Sequence, residues 1–140
     1  MRTGETSAQR AVPLRDILDA GIVTGGGCDA PAAPQSALAS MQWMVTRECL
    51  DGKVRGGDQA ISAEEALRMY TIDSARTQFR ENEIGSLEPG KFADLAVLDG
   101  DPLTILPSKI GSINVVGTLL GGRAVYDSAS LFDRIGAATA

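Results

Sequence analysis

The stretch that decides the fold is Gly21-Ile22-Val23-Thr24-Gly25-Gly26-Gly27-Cys28-Asp29-Ala30-Pro31. It begins as a short apolar run, passes into three glycines, and places one carboxylate, Asp29, shortly before a proline. A strand that ends in glycines brings its backbone close to a neighbour, because glycine has no side chain to intervene. In α/β proteins, ligands bind at the carboxyl ends of such strands. The stretch therefore predicts a strand over residues 22–27 and makes Asp29 the candidate site residue.

Composition limits the kind of protein and the kind of partner. The 140 residues, 44% hydrophobic and 22% charged, are typical of a single globular domain. A net charge of −5 argues against nucleic acid and anionic membrane surfaces as partners. The N-terminus is polar, and no apolar run approaches the ~18 residues that a membrane span needs. We therefore expect a cytoplasmic protein without a membrane partner.

The absence of histidine restricts the chemistry more than any motif does. With no histidine in the sequence, neither a Ser-His-Asp nor a Cys-His arrangement can form within this chain. The two cysteines, Cys28 and Cys49, do not make a disulfide framework and are interpreted as reduced thiols. A zinc site made by this chain alone would have to combine these thiols with carboxylates.

Helix signals surround the opening stretch. Pro13 predicts the start of a short helix with Leu14, Ile17 and Leu18 on one face, and Gly21 predicts its end. Residues 1–11 are predicted to form a loop or a frayed terminus. Two longer helices are predicted near residues 36–49, capped by Ser36, and over residues 62–79, opened by a capping box of Ser62 and Glu65. The glycine-rich, charged residues 51–59 between them are predicted to form a loop, and Met41, Trp43 and Met44 are expected to face the core.

The last third of the chain changes to β structure. Pro89 and Gly90 predict a type II turn before a strand over residues 92–98. The runs 114–120 and 123–126, separated by Gly121-Gly122, predict a hairpin. A tail over residues 128–140 has only a weak helical pattern. Lys91 and Asp94 are interpreted as structural charges of the turn and strand edge.

The order of these elements is unusual for an independent domain. A single strand over residues 22–27 with helices on both sides would leave its backbone N–H and C=O groups unpaired. Either the protein associates through that strand, or the chain is part of a longer one.

Several motifs, in order along residues 13–127, resemble those of the metal-dependent amidohydrolases, most closely the amidohydrolase 3 branch. They are Leu18-Asp19-Ala20-Gly21, Asp29-Ala30-Pro31, Val45-Thr46-Arg47, Gly85-Ser86-Leu87-Glu88-Pro89-Gly90-Lys91, Ala93-Asp94-Leu95 and Gly122-Arg123 with Val125-Tyr126. The resemblance implies an α/β fold: a C-terminal fragment of a (β/α)8 TIM-like barrel followed by the strands of a small β-sandwich. On that template, residues 1–83 form the end of the barrel, residues 84–127 the sandwich strands, and residues 128–140 a tail.

The same resemblance implies a hydrolase that acts on non-peptide carbon–nitrogen bonds by metal-activated water. Asp29 matches the family's aspartate that both ligates the metal and accepts a proton from the attacking water. The implied cofactor is zinc or another divalent metal, and the implied substrate is a small amide. The family's remaining ligands, largely histidines, do not occur in this chain, which implies that it is inactive alone and leaves open whether it binds metal.

Other interpretations of single features stay open at this point. The chain could be a non-catalytic remnant that self-associates as a homo-oligomer, or a subunit that complements a histidine-bearing chain. Gly25-Gly26-Gly27 fits neither GxGxxG nor a P-loop, so a phosphate site is not favoured. Cys28 could touch a metal or simply pack. Arg47 and Asp73 could line a site or serve as helix-end charges.

Overall fold

The computed structural model describes residues 4, 7, 9–33, 35–128 and 130–133 of the chain. Within these residues, four α-helices precede three β-strands, and two 3₁₀ turns connect elements. The helices are α1 (Leu14–Asp19), α2 (Ala37–Thr46), α3 (Ala63–Tyr70) and α4 (Ile72–Thr77); the strands are β1 (Leu95–Leu98), β2 (Val115–Leu120) and β3 (Arg123–Asp127); the 3₁₀ turns are Gly57–Gln59 and Pro107–Ser112. None of the described helices has the length and apolar character needed to cross a membrane.

Both predicted helix caps are confirmed. The Ser36 hydroxyl accepts the amide of Ala39 at 3.1 Å, and α2 begins directly after it. At α3 the capping box is complete, because Ser62 Oγ accepts the Glu65 amide and Glu65 Oε2 accepts the Ser62 amide at 2.8 Å. These bonds satisfy amides that have no partner inside the helix.

The two long helices end earlier than the sequence predicts. The helix predicted over residues 36–49 ends at Thr46, because Arg47 adopts left-handed geometry with φ of 57°. The helix predicted over residues 62–79 divides into α3 and α4 at Thr71, where φ and ψ are −127° and −103°. The Thr71 hydroxyl donates to the Leu67 carbonyl at 2.8 Å, a bond with which threonine competes against regular helix geometry.

The core lies between the helices and the second 3₁₀ turn. Its buried members are aliphatic or sulfur-containing, as the low aromatic content implies: Leu14, Met41, Met44, Ile61, Ala66, Met69 and Ile110. Met41 and Met44 confirm the predicted core positions, and Trp43 is half-buried against the same cluster. The turn Pro107–Ser112 is held on α2 by the bond from the Gly111 amide to Gln42 Oε1, at 2.9 Å.

The predicted β region forms one antiparallel sheet in the order β1-β2-β3. Leu95 pairs with Leu119 across β1 and β2, and Leu120 pairs with Arg123 at the hairpin. Gly121 and Gly122 have φ of 56° and 78°, the geometry that a two-residue hairpin turn requires at both positions. The hairpin prediction is therefore confirmed, and the first strand is shorter than the predicted 92–98.

The regions flanking these elements differ in part from prediction. Gly4, Ser7 and Gln9 have helical geometry where a loop is expected. Pro13 precedes α1 as its cap residue instead of occupying the first helical position, and Gly21, with φ of 70°, follows the helix end. In the tail, residues 131–133 are helical, whereas 134–140 lie outside the described residues.

The strand predicted over residues 22–27 is not formed. All six residues are described, and none belongs to a strand. A strand is defined by its ladder partners, and the described residues supply none here, so a strand over residues 22–27 stays a prediction for a longer protein. What holds the segment is the bond from the Ile22 amide to the Ile17 carbonyl at 3.2 Å and one from the Gly26 amide to the Met69 carbonyl at 2.7 Å.

Candidate functional site

Asp29 lies on an exposed turn after residues 22–27, which we call the glycine segment. Its φ is 52°, a left-handed geometry that aspartate tolerates better than most residues. Its carbonyl accepts the Ala32 amide at 2.9 Å, which closes the turn. No hydrogen bond or ion pair joins its carboxylate to a described residue, so both carboxylate oxygens are available to a ligand.

The glycines upstream of Asp29 allow close packing against the junction of α3 and α4. A Cβ at Gly26 would lie 2.7 Å from the ring of Tyr70, and a Cβ at Gly25 would lie 2.8 Å from Ser74 Oγ. At Gly27, by contrast, nothing lies within 4 Å. The Met69 carbonyl accepts from both the Gly26 amide and the Ser74 hydroxyl, each at 2.7 Å. The first two glycines thus set how near the segment approaches the helices.

The ring of Tyr70 packs against Gly26, and its hydroxyl group is buried. Its hydroxyl has no hydrogen-bond partner among the described residues. Burial raises the pKa of Tyr70, an effect opposed by the nearby Ser40 hydroxyl. The Tyr70 side chain is therefore uncharged at neutral pH where it packs against Gly26.

Asp29 forms part of the wall of a cavity of about 1030 Å³. The cavity lies among the glycine segment, α1, α2 and the loop that follows α2, and its wall includes Cys28, Trp43 and Cys49. Both thiols are free and half-buried. Small-molecule sites are typically cavities of ~300–1,000 Å³ with apolar walls and a few polar groups, so this space has the size of a ligand site.

The loop after α2 contributes the other charges of the wall. Arg55 donates to both carboxylate oxygens of Asp51, at 2.8 and 2.6 Å. This bidentate pair holds the pKa of Asp51 well below its usual range. Glu48 also lines the cavity and has no ion pair among the described residues.

Arg47 fixes the position of that loop from inside the protein. It is only 1% exposed, and its guanidinium donates to the carbonyls of Ala11, Val12 and Arg55 at 2.7, 3.1 and 3.2 Å. Its Cζ also lies 4.1 Å from the centroid of the Trp43 ring. Burial lowers the pKa of Arg47, an effect that the charges of Cys49 and Asp58 oppose. Arg47 is thus a structural cation that joins the loop to the chain before α1.

The described residues do not make a metal site by themselves. No group of three or more histidine, cysteine, aspartate or glutamate residues lies close enough together within them to hold a metal ion. A catalytic zinc takes about three protein ligands and an open position. Asp29 offers one ligand, and the wholly histidine-free sequence offers no imidazole.

The structure separates the other residues that the sequence singled out. Cys28 lies in the cavity wall next to Asp29, whereas Arg47 and Asp73 do not line it. Asp73 instead forms ion pairs with Arg76 at 2.8 Å and Arg68 at 3.5 Å. Lys91 donates to Ser86 Oγ at 2.6 Å, and Asp94 accepts the Gly121 amide at 2.6 Å, which are local structural roles.

Sequence reasoning missed the residues that complete the cavity wall. Glu48, Cys49 and Arg55 belong to a loop without a recognisable motif, and Trp43 was assigned to the core alone. The glycine-rich, charged character of residues 51–59 is the one signal in this part of the sequence that could have drawn attention to the loop.

The chain resembles known proteins in sequence and in fold. The sequence model of a family described as "Amidohydrolase family" matches residues 1–126. The N-substituted formamide deformylase of Arthrobacter pascens is 38% identical over 115 residues, which are 82% of this chain and 21% of the deformylase.

Solved structures also resemble most of the chain. An amidohydrolase from Thermotoga maritima aligns with 81% of this chain and 25% of its own length, at a TM-score of 0.62 and 24% identity. A variant of atrazine chlorohydrolase from Arthrobacter aurescens, complexed with zinc and atraton, aligns with 91% of this chain and 31% of its own length, at a TM-score of 0.58 and 25% identity. The chain thus spans less than a third of these proteins.

Proposed function

This chain belongs to the amidohydrolase family, and we propose that it is the C-terminal part of a metal-dependent member of that family. The proposed reaction is hydrolysis of a non-peptide carbon–nitrogen bond in a small amide-type substrate by metal-activated water. The observation that carries the proposal is the position of Asp29, which has an unpaired carboxylate at the end of the glycine segment and lines the large cavity.

In the proposed fold, residues 22–27 become the last strand of a (β/α)8 barrel once the preceding strands are present. Residues 1–83 then complete the barrel, residues 84–127 supply strands to a small β-sandwich, and residues 128–140 form a tail. The exposure of Ile22 and Val23, 56% and 51%, supports this assignment. Barrel strands bury apolar side chains on both faces, so these two residues need a covering that the described part of the chain does not provide.

Asp29 is the residue of this chain to which we assign chemistry. A bound divalent cation supplies the Lewis acidity that makes water a nucleophile near neutral pH. One carboxylate oxygen of Asp29 would contact the cation, and the carboxylate would accept a proton from the attacking water. The remaining ligands come from outside this chain, and zinc, present in the chlorohydrolase complex, is the leading candidate for the metal.

A chimera tests this proposal. This chain replaces the matching C-terminal segment of the Arthrobacter pascens deformylase, and zinc content and hydrolysis of an N-substituted formamide are measured. We expect stoichiometric zinc and turnover from the chimera, and neither from the 140-residue chain alone. Asp29→Asn in the chimera should lower kcat by at least ~100-fold, the usual contribution of a positioned general base. Asp19→Asn, at an exposed ion pair on α1, is the matched control.

Two results would contradict the proposal. Tight stoichiometric zinc and robust hydrolysis by the isolated chain would show that it is complete. An active chimera whose turnover is unaffected by Asp29→Asn would show that Asp29 has no role in the reaction.

A second candidate is a non-catalytic chain that associates with itself or with a histidine-bearing partner chain. It is favoured by large apolar side chains exposed to solvent, including Leu50 at 91% and Phe79 at 92%. Burial of such side chains in an interface would remove their apolar surface from water and so favour association. Size-exclusion chromatography with light scattering distinguishes the cases, since a compact monomer that does not bind a histidine-bearing partner excludes this candidate.

A further inference from the structure

The Met69 carbonyl anchors the glycine segment to the end of α3. Met69 is the second-to-last residue of that helix and is 2% exposed. The last four carbonyls of a helix have no partner within it, so a buried one needs a donor from elsewhere. The Gly26 amide donates to the Met69 carbonyl at 2.7 Å, and the Ser74 hydroxyl donates to the same oxygen at 2.7 Å. The segment is therefore bonded to the helix at Gly26.

The Tyr70 ring contacts Gly26 next to that bond. A Cβ at Gly26 would lie 2.7 Å from Tyr70 Cε2 and 2.8 Å from Tyr70 Cδ2. Carbon atoms in favourable contact are ~3.5–4.0 Å apart, so the space is filled by the ring. The ring is itself held, because Tyr70 packs against the buried core cluster. The bond to Met69 and the contact with Tyr70 together fix the position of Gly26 relative to α3.

Gly26 is the last point of the segment that the helices hold before Asp29. Among the described residues, no hydrogen bond from residues 27–29 reaches α3 or α4, and the turn at Asp29 is closed locally by the Ala32 amide. A Cβ at Gly27 would meet nothing within 4 Å. The position of the Asp29 carboxylate relative to the helices therefore follows from the position of Gly26.

These contacts are compatible with a barrel strand in a longer protein. They involve residues 25 and 26, at the carboxyl end of the segment. The amides of Val23 and Thr24 have no acceptor in the described part of the chain. That part of the segment can therefore pair with a neighbouring strand while Gly26 stays on α3.

From these contacts we propose that Tyr70 is a positioning residue for Asp29. Its ring, together with the Met69 carbonyl, holds Gly26 where the Asp29 carboxylate can contact the cation and accept a proton from the attacking water. This inference rests on the proposed function. A misplacement of about 1 Å can cost about 100-fold in rate. A methyl group at Gly26 has to displace the segment or the ring by several tenths of an ångström, so its effect on turnover should be large.

Gly26→Ala in the deformylase chimera tests this role. We expect kcat per bound zinc to fall at least about tenfold, with KM within about twofold of the unsubstituted chimera. A loss confined to kcat at full zinc content distinguishes a misplaced carboxylate from a partly unfolded protein. Gly57→Ala is the matched control, because a Cβ at Gly57 would lie 3.5 Å from Val54 Cγ1, an ordinary contact.

A second substitution shows whether the Tyr70 ring is the cause. Tyr70→Leu removes the ring atoms Cε2 and Cζ and so makes room for the methyl group of Gly26→Ala. The double variant should recover at least about threefold in kcat, whereas two changes that act independently would add their losses. Tyr126→Leu, which removes a 50% exposed ring on β3, should recover nothing. If Gly26→Ala does not fold, Tyr70→Leu alone decides, since it should lower kcat about threefold at unchanged KM.

The 140-residue chain provides a readout that needs neither zinc nor turnover. Cys28 lies between Gly26 and Asp29 and is half-buried, and Cys49 is a free reference thiol in the same molecule. Gly26→Ala should accelerate labelling of Cys28 by a thiol reagent at least about threefold relative to Cys49, because a segment displaced from α3 opens more often. Tyr70→Leu should reverse this acceleration, and Tyr126→Leu should not.

Unchanged kcat in the zinc-loaded Gly26→Ala chimera would overturn the proposal, as would equal rescue by Tyr70→Leu and Tyr126→Leu. Unchanged labelling of Cys28 in the Gly26→Ala chain would also overturn it, because the contact would then not hold the segment. Failure of the proposed function is a separate result. It is the absence of zinc and turnover in the unsubstituted chimera, and the labelling of Cys28 does not depend on either.

Discussion

Residues 22–27 and strand β2 both have apolar, β-prone sequences, but only β2 forms a strand. β2 has an antiparallel partner on each side, with Thr118 paired to both Ala96 and Tyr126. Residues 22–27 have no ladder partner among the described residues and are held instead by α1 and α3. β3 follows β2 after two glycines, whereas the partners of a parallel strand lie a crossover connection away in sequence. The difference shows that apolar β-prone residues form a strand only where partners are present.

The strongest test of this comparison is a proline in each region. Thr118→Pro removes a ladder bond from the central strand, and we expect a loss of roughly 3 kcal/mol in the free energy of unfolding. Val23→Pro should cost less than about 0.5 kcal/mol, since the Val23 amide has no acceptor in the described part of the chain. Urea unfolding measures both. Equal losses would mean that residues 22–27 pair with another chain in solution.

Removal of the buried guanidinium should affect the chain before α1 and the loop after α2, and spare the sheet. Arg47→Met leaves the carbonyls of Ala11, Val12 and Arg55 without their donor, so we expect about 2–3 kcal/mol of destabilisation. Hydrogen exchange should accelerate over residues 9–19 and 48–55 and remain unchanged in β2 relative to the parent chain. Arg123→Met, at the exposed start of β3, is the control, and faster exchange in β2 of Arg47→Met would contradict the separation of the two regions.

An added methyl group should destabilise the protein at Gly26 and be tolerated at Gly27. Gly26→Ala places a methyl group 2.7 Å from the Tyr70 ring, and we expect a loss of about 1–3 kcal/mol from the forced displacement. Gly27→Ala meets nothing within 4 Å and should change stability by less than ~0.5 kcal/mol. Thermal and urea unfolding compare the two. If both variants match the parent chain, the segment is not packed on α3.

The smallest effect concerns the pH dependence of the ion pair between Arg15 in α1 and Glu65 in α3. Hydrogen bonds from the Ser62 amide and from Arg15 lower the pKa of Glu65 below its ordinary value of 4.5. A carboxylate with a lowered pKa stabilises the fold above the unfolded-state pKa, and that contribution is lost as the pH falls through the folded-state pKa. Glu65→Gln should therefore cost about 0.5–1 kcal/mol at pH 7, and this cost should shrink as the pH falls below 4.5.

Urea unfolding of the Glu65→Gln chain across this pH range measures the effect. Glu64→Gln, its exposed neighbour, should show no such convergence with the parent chain. A constant difference at every pH would assign the role of Glu65 to the capping geometry and not to its charge.

Local signals predicted much of the fold correctly. The caps at Ser36 and Ser62, the Pro89–Gly90 turn and the Gly121–Gly122 hairpin depend on a few neighbouring residues, and all four are formed. Helix ends were less predictable. The left-handed Arg47 depends on burial of its guanidinium against residues 11, 12 and 55, which are distant in sequence.

The candidate site also has one part that local sequence predicts and one part that it does not. Asp29 could be identified from the sequence, because a carboxylate after a glycine-rich apolar run stands out without knowledge of distant contacts. The remainder of the cavity wall could not. Glu48, Cys49 and Arg55 reach the cavity because Arg47 fixes the loop after α2, and nothing in the local pattern of residues 48–55 indicates where that loop lies.

By itself, the sequence determined the helix caps, the hairpin, Asp29 as the candidate site residue and the absence of any imidazole. Each of these follows from residue identity or from contacts within a few positions of the chain. Only the tertiary structure decided that residues 22–27 have no ladder partner in the described part of the chain, that Gly25 and Gly26 pack on α3 and α4, and that one wall combines apolar groups with carboxylates that have no ion pair there. Those features depend on partners remote in sequence, and the physical chemistry of a local segment does not specify which partners it meets.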